Sequence, residues 1–574
     1  MTVKAQQPFE VNDQSELPDP LQAIVERVVR SARLWPSERR DVRAELESHF
    51  FEGMRDMLED GVALDESIEI LHDSFGDPAT AAKLIGRSKR KGRPMIWKVT
   101  IGILLTLTAS TVLAGGLAAY LFMGEPTPTV DYIEQINAQV EQTPEESRAW
   151  PILHDALLAF RSRPRSEGNS IPYPGDANWR DAVAWVLSNQ NIMPLLEEAS
   201  TKETYGFIYD NRVSLEFIRQ RAILNGEDNA AMDEVPDPLM PPTLSLLLPN
   251  LSEMREMARM LIVDSRMHMQ NDDFGHAFHS LDIALRLGTL LMSGETIIDQ
   301  LVGRAIIEMS LGEMLDTVDA YQNSLTEDDL DVIAASHLMT MAPDVIRPRF
   351  EGEQLMFRDV VQYVFTDDGK GNGRPIPSQF AKVCSIMGVK GDGDIEFLAK
   401  AAVHADRRET LDQYAWLWDR MAELRNLPLY DSRRATTVEV LDAFNKNPEK
   451  RGRFALIANV LPDLSRADRM IRETAMTQRA AVVVLDILEF KAKHGELPAR
   501  LGMLEQKPDA TDAYSGLNLR YTVLDDGEFT LYSIGENLID DGGNAEATDQ
   551  ADEVEVSDQA DEVSTADDIV YWPR

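Results

Sequence analysis

His276 and His279 stand three residues apart in "DDFGHAFHSLD", with Asp272, Asp273 and Asp282 close by. On a helix this spacing puts two imidazoles on one face, where a zinc ion can take two ligands; a zinc hydrolase adds a third ligand and a carboxylate base. No "HExxH", "GxSxG" or "GxxxxGK[ST]" occurs. In a segment so rich in Ala, Leu and Phe, the pair reads first as a polar-face or core-edge feature, and no residue is assigned a catalytic role. A membrane-anchored, metal-dependent hydrolase using His276 and His279 stands as the alternative.

Two Gly/Asp-rich loops invite a calcium reading. In "VFTDDGKGNGRPIP", Asp368, Lys370, Asn372 and Gly373 fall on positions 1, 3, 5 and 6 of a calcium-loop template, but Lys370 and Gln379 spoil positions 3 and 12. That loop and the nearby "GVKGDGDIE" are read as solvated connections.

The surrounding elements are helical. "LSEMREMARMLIVDSRMHMQNDDFGHAFHSLDIALRLGTLLMSGETIIDQLVGRAIIEMSLGEML" predicts a long helix, a turn at Asn271 to Asp273, a second helix, a Ser293-Gly294 break and a third helix. This suggests an irregular helical repeat domain of the tetratricopeptide sort. Further on, "RAAVVVLDILEFKAKHGELPARLGML" predicts a helix and "LRYTVLDDGEFTLYSIGENLIDDGG" a β-hairpin around Asp-Asp-Gly, to which "DIVYW" adds a strand. The acidic stretch 544–566, with "DQADEV" twice, reads as a disordered insert.

That C-terminal module, "HGELPARL" followed by "YSIGENLIDDGG", resembles the C-terminal half of type II secretion pseudopilins. The resemblance implies a calcium-holding loop, with oxygen ligands drawn from Asn537, Asp540, Asp541 and Asp568, and Asp567 as a substitute for Asp568. No pilin-type hydrophobic helix precedes the module, so the likeness is to a local fold. An accessory role in envelope secretion is a second alternative.

The composition sets limits. Of 574 residues, 97 are Asp or Glu and 57 Lys or Arg, giving a formal charge of −40. This disfavours a broad nucleic-acid surface, which needs a positive face. The single cysteine, Cys384, excludes an intramolecular disulfide and a Cys-based zinc cluster.

From Val99 to Gly124 no charged residue occurs. The stretch is about 39 Å long as a helix, enough to cross a hydrocarbon core of about 30 Å. Lys89, Arg90, Lys91, Arg93 and Lys98 flank its N-terminal side, whereas Glu125 and Asp131 follow it. The positive-inside rule places the N-terminus in the cytoplasm and the larger C-terminal part outside. Ser110, Ala114 and Ala118, with Gly115 beside them, make a small-residue face suited to a homodimer.

Ahead of the span, four helices are predicted, starting at Asp19-Pro20, near Pro36-Ser37, at "LDESIEILHDS" and at Asp77-Pro78, with Gly61 and Gly76 as stops. Glu45, Leu46, His49, Gly61, Glu66, Phe75, Gly76, Asp77 and Pro78 fit a pattern that resembles the HAAS-type signalling and permease-prefix domains. The resemblance covers about an eighth of the chain and implies a cytoplasmic interaction module of bacterial inner-membrane proteins.

The expected plan is mainly α: a flexible 1–17, a helical head 18–93, a transmembrane helix 99–124, a helical repeat-like extracytoplasmic domain 125–475, and a small α+β module 476–574. The expected function is non-catalytic partner binding outside and interaction or signalling inside.

Overall fold

The computed structural model describes residues 17–91, 93–122, 124–163, 171–225, 239–246, 248–322, 324–342, 345–387, 394–428, 430–525, 527–543 and 568–573. The acidic stretch 544–566, Asp567 and nearly all of the N-terminal lead-in lie outside them. The chain is mainly helical and divides into two compact units, 1–120 and 121–574.

The smaller unit has four short helices, α1 (Asp19–Ser31), α2 (Pro36–Glu59), α3 (Leu64–Ser74) and α4 (Pro78–Lys91), then the long α5 (Arg93–Phe122). Leu21, Ile24, Val25, Val28 and Val29 of α1 supply much of its core, against Val42, Phe50 and Met54 of α2. Met57 and Leu58, farther along α2, are half-buried. Gly86 lets α4 approach α1, since a Cβ there would lie 2.9 Å from the Ala32 carbonyl oxygen.

The stop and start between α3 and α4 is local chemistry. Gly76 adopts φ +75°, a conformation most residues resist. Asp77 then caps α4, accepting from the amides of Ala79 and Thr80, each at 3.1 Å, and from the Thr80 hydroxyl at 2.7 Å. These hydrogen bonds, that of the Thr80 hydroxyl foremost, hold its carboxyl below the usual range.

Within α5, Thr100–Ala119 is apolar and long enough to cross a membrane and is exposed throughout. The hydroxyls of Thr106, Thr108 and Thr111 donate to carbonyls four residues earlier at 2.7–2.8 Å, so each polar group is satisfied within the helix, as hydrocarbon surroundings require.

The larger unit opens with α6 (Tyr132–Glu141), α7 (Trp150–Ala159), α8 (Trp179–Ser188), α9 (Met193–Ser200) and α10 (Asn211–Asn225). These pack on α11 (Leu251–Met269), α12 (Phe274–Leu291) and α13 (Ile297–Tyr321), the three helices expected from the sequence. Gly288 and Gly303 allow close packing of α12 on α13. The buried guanidinium of Arg266 ties α11 to α13 by donating to both Glu313 oxygens, at 2.7 and 2.5 Å, and to the carbonyls of Ile171 and Pro172. Every charge taken out of water there is thus matched.

After the short α14 (Glu327–Ala334) and α15 (His337–Thr340), a further core forms from α16 (Glu351–Val364), α17 (Pro377–Ile386), α18 (Asp394–Val403), α19 (Arg407–Asn426), α20 (Arg433–Lys446) and the start of α22 (Ala455–His494), with the short α21 (Pro448–Arg453) linking the last two without a buried residue of its own. Cys384 is buried in it, and burial pushes its thiol up to about 12. Gly495 ends α22 at φ +77°.

An antiparallel sheet in the order β1 (Arg520–Val523), β2 (Phe529–Ser533), β3 (Ile569–Trp572) follows, with Tyr521 opposite Leu531 and Leu531 opposite Trp572. The hairpin and the added strand thus match the expectation. The boundary expected at 475–476 falls inside the continuous α22. Phe529, Leu531 and Trp572 share one core with α11, α12, α13 and α22, so the C-terminal module is part of the larger unit and not a separate domain.

Candidate functional site

A cleft of 1080 Å³ opens in the larger unit where six segments converge: the stretch after α9, the end of α12, the approach to α16, the loop after α19, the middle of α22, and the loop before β1. Its walls carry four arginines, Arg347, Arg349, Arg472 and Arg479, against three carboxylates, Glu203, Glu351 and Asp509. Among the lining residues the guanidinium groups outnumber the carboxylates by one, on a chain whose overall charge is −40.

The arginines are aimed from behind. Arg472 Nε donates to Asp468 at 2.9 Å, one helical turn earlier. Asp468 is buried and also faces Arg434 at 3.8 Å, whose guanidinium holds the Leu424 and Leu427 carbonyls at the end of α19. Arg349 donates to the Ser293 carbonyl at 3.1 Å and to Glu295 at 3.3 Å. Arg479 faces Asp509 at 3.6 Å, while its Nε is buried without a hydrogen-bond partner. Met292, Val345 and Met476 add apolar wall, so the cleft can take a ligand with both charged and apolar parts.

Beside the cleft, the start of α13 gathers buried acid. Thr296 and Asp299 form a reciprocal cap, and Glu353 accepts from the Ile297 amide at 2.8 Å. Asp299 also accepts from the Tyr209 hydroxyl at 2.6 Å. Burial pushes its carboxyl up to about 6 despite these hydrogen bonds, and burial likewise raises Glu295 and Glu353. The positive end of the helix dipole offsets part of the cost of placing carboxylates here.

The histidines assemble differently from the sequence expectation. His279 turns to Glu197, 3.4 Å away, and does not join His276. His276 Nδ1 instead lies 2.8 Å from Asp273 Oδ1, and His268 Nδ1 lies 3.2 Å from Asp273 Oδ2. The hydrogen bond with His276 is the leading cause that holds the Asp273 carboxyl low. His268, Asp273 and His276 are the one group of three or more His, Cys, Asp or Glu side chains, among the described residues, whose ligand atoms converge closely enough for a metal ion.

Among the described residues, the carboxylates expected to hold calcium, Asp540, Asp541 and Asp568, do not form such a group of three. Asp540 accepts from the Tyr532 hydroxyl at 2.9 Å and faces Arg520 at 3.1 Å; Asn537 accepts from the Ile539 amide; Asp541 is exposed. Asp568 is buried, with Oδ2 accepting from the Gly543 amide at 2.7 Å and Oδ1 without a partner. In the other loop, Asp368 accepts from the amides of Lys370 and Asn372, and the start of α19 is tied to the turn by the Arg408 amide, which donates to Asn372 Oδ1 at 3.1 Å, and by the Arg408 guanidinium, which donates to the Lys370 carbonyl at 2.7 Å.

Ser110, Ala114, Gly115 and Ala118 are exposed on α5, and Lys89 is exposed on α4. The side chains of Arg90, Lys91, Arg93 and Lys98 lie outside the described residues. Comparison with known proteins found no matching family model, no matching curated protein and no matching solved structure.

Proposed function

We propose that the chain is a single-pass membrane protein whose larger unit is a non-catalytic receptor for an anionic ligand, bound in the arginine-lined cleft. The observation that carries this reading is the convergence of Arg347, Arg349, Arg472 and Arg479 on one cavity of a strongly acidic chain. Guanidinium forks match carboxylate and phosphate groups, and the apolar wall suits the remainder of such a ligand. The apolar, exposed Thr100–Ala119 helix supports the anchor. The flanking cations support a cytoplasmic N-terminus, with the HAAS-like head as an interaction or signalling module and the receptor outside. The small-residue face of α5 supports a homodimer.

Two probes test the cleft, citrate and inorganic phosphate, titrated against the full-length protein in detergent while the melting temperature is followed. Saturable stabilisation by either one, lost in Arg472→Gln/Arg479→Gln, is the expected result. No stabilisation by either probe, or an equal shift in the variant, would overturn the reading. The layout is tested separately with a reporter active only outside the cytoplasm, fused after Glu125 and at the N-terminus; activity in the first fusion alone is expected.

A further inference from the structure

We propose that His268, Asp273 and His276 bind a divalent transition-metal ion of the zinc class, in the turn between α11 and α12. The inference is independent of the arginine cleft and uses none of its residues.

The local sequence builds the site. His268 lies in the last turn of α11, Asp273 is the N-cap of α12, and His276 is its third residue. The turn between them is fixed: Asp272 takes φ 57°, Asn271 donates to the Met267 carbonyl at 3.0 Å, and the Asp273 amide donates to the His268 carbonyl at 3.1 Å. The two imidazole rings stack with centroids 5.3 Å apart, and each presents Nδ1 to a different oxygen of Asp273.

These separations suit a metal. A tetrahedral ion with bonds of about 2.0–2.2 Å sets its ligand atoms about 3.3–3.6 Å apart. One ligand atom of each residue lies within 4.8 Å of the other two, and the 3.2 and 2.8 Å contacts, made to different oxygens of Asp273, would lengthen by up to about 0.8 Å around such an ion. Two imidazoles and one carboxylate favour zinc-like ions over calcium or magnesium, which prefer all-oxygen sites. His276 is 72 % exposed, which leaves an approach from solvent and a fourth position for water.

The second side of His268 gives a further argument. Its Nε2 lies 3.8 Å from Asp264 Oδ2, and Asp264 is buried and held by the Ser280 hydroxyl at 2.6 Å. A neutral imidazole carries one N–H, so with carboxylates on both sides one of them faces a lone pair. A metal on Nδ1 leaves the N–H on Nε2, the nitrogen on the side of Asp264, and closing the 3.8 Å gap to a hydrogen bond would give the carboxylate–histidine–metal arrangement that orients metal ligands. One ion shared by both rings satisfies all three ligands at once.

The test uses full-length protein in detergent, stripped of metal and titrated with cobalt(II) and, against a chromophoric chelator, with zinc(II). One equivalent of cobalt giving the strong visible bands of a tetrahedral site, displaced by zinc, is expected. His268→Gln and His276→Gln should each abolish those bands, Asp264→Asn should weaken zinc binding by about 10–100-fold, and His279→Gln should change nothing. Helical circular dichroism of each variant separates ligand loss from unfolding. Zinc binding that survives both ligand variants, as attachment to the acidic surface would, overturns the proposal, as does an equal loss in His279→Gln.

Discussion

Gly303 on α13 faces Gly288 on α12 so closely that a Cβ at Gly303 would lie 2.6 Å from the Gly288 carbonyl oxygen and 2.9 Å from Leu291 Cβ. Alanine would gain about 1 kcal/mol of helix propensity over glycine. Overpacking costs about 1–3 kcal/mol, and here the obstacle includes backbone, which cannot rotate away. Gly303→Ala is therefore expected to lower stability by up to about 2 kcal/mol in chemical denaturation. A variant as stable as the parent would mean that the two helices can separate without loss.

The buried acid at the start of α13 sets a pH dependence. Asp299 has its carboxyl raised from 3.8 to about 6, so between those values the folded chain holds a proton that the unfolded chain has lost. Its contribution is full below the unfolded value and is lost as pH rises through about 6, a span worth about 3 kcal/mol at most. Glu295 and Glu353 are raised in the same sense, with Arg349 opposing at Glu295, while Tyr205 and Tyr209 stay neutral. Asp299→Asn should flatten the fall in melting temperature between about pH 4 and pH 7. Parallel curves for variant and parent would show that Asp299 does not carry the effect.

In the smaller unit, Asp77→Ala removes the acceptor for two amides and a hydroxyl at the start of α4, whereas Asp77→Asn keeps a capping oxygen. The melting temperature of the head should drop for alanine and change little for asparagine. Equal behaviour of the two would assign Asp77 a role other than capping.

On α5, replacing Ser110, Ala114 and Ala118 together by Leu fills the face through which two spans would approach. Self-association in detergent or bilayers, read by energy transfer between labelled copies, should weaken. Unchanged transfer would move any dimer contact elsewhere.

The elements were far more legible than the sites. Gly76-Asp77-Pro78, Ser293-Gly294 and the alternation in "FTLYS" each act through residues adjacent in the chain, so stops, caps and strands could be read directly. Helical spacing points to pairs within one element, whereas His268 meets Asp273 and His276 across a turn. A His five residues before an N-capping Asp was the available signal. The cleft had none: Arg347, Arg349, Arg472 and Arg479 come from segments more than a hundred residues apart, and only packing gathers them. The boundary at 475–476 was drawn where the pattern changes from helix to strand, although the hydrophobic face of α22 runs on through both parts.

β3 has a consequence for the order of events in making the protein. Its Trp572 stacks on Phe529 at 5.5 Å and closes a core that begins at Ile262. Synthesis runs from N- to C-terminus, so Phe529 and Leu531 wait uncovered while residues 544–567 are added, and the last wall arrives only with Ile569–Trp572. This core therefore closes only once Ile569–Trp572 have left the ribosome, and a ribosome stopped before Ile569 releases a product with a sticky, half-closed interior.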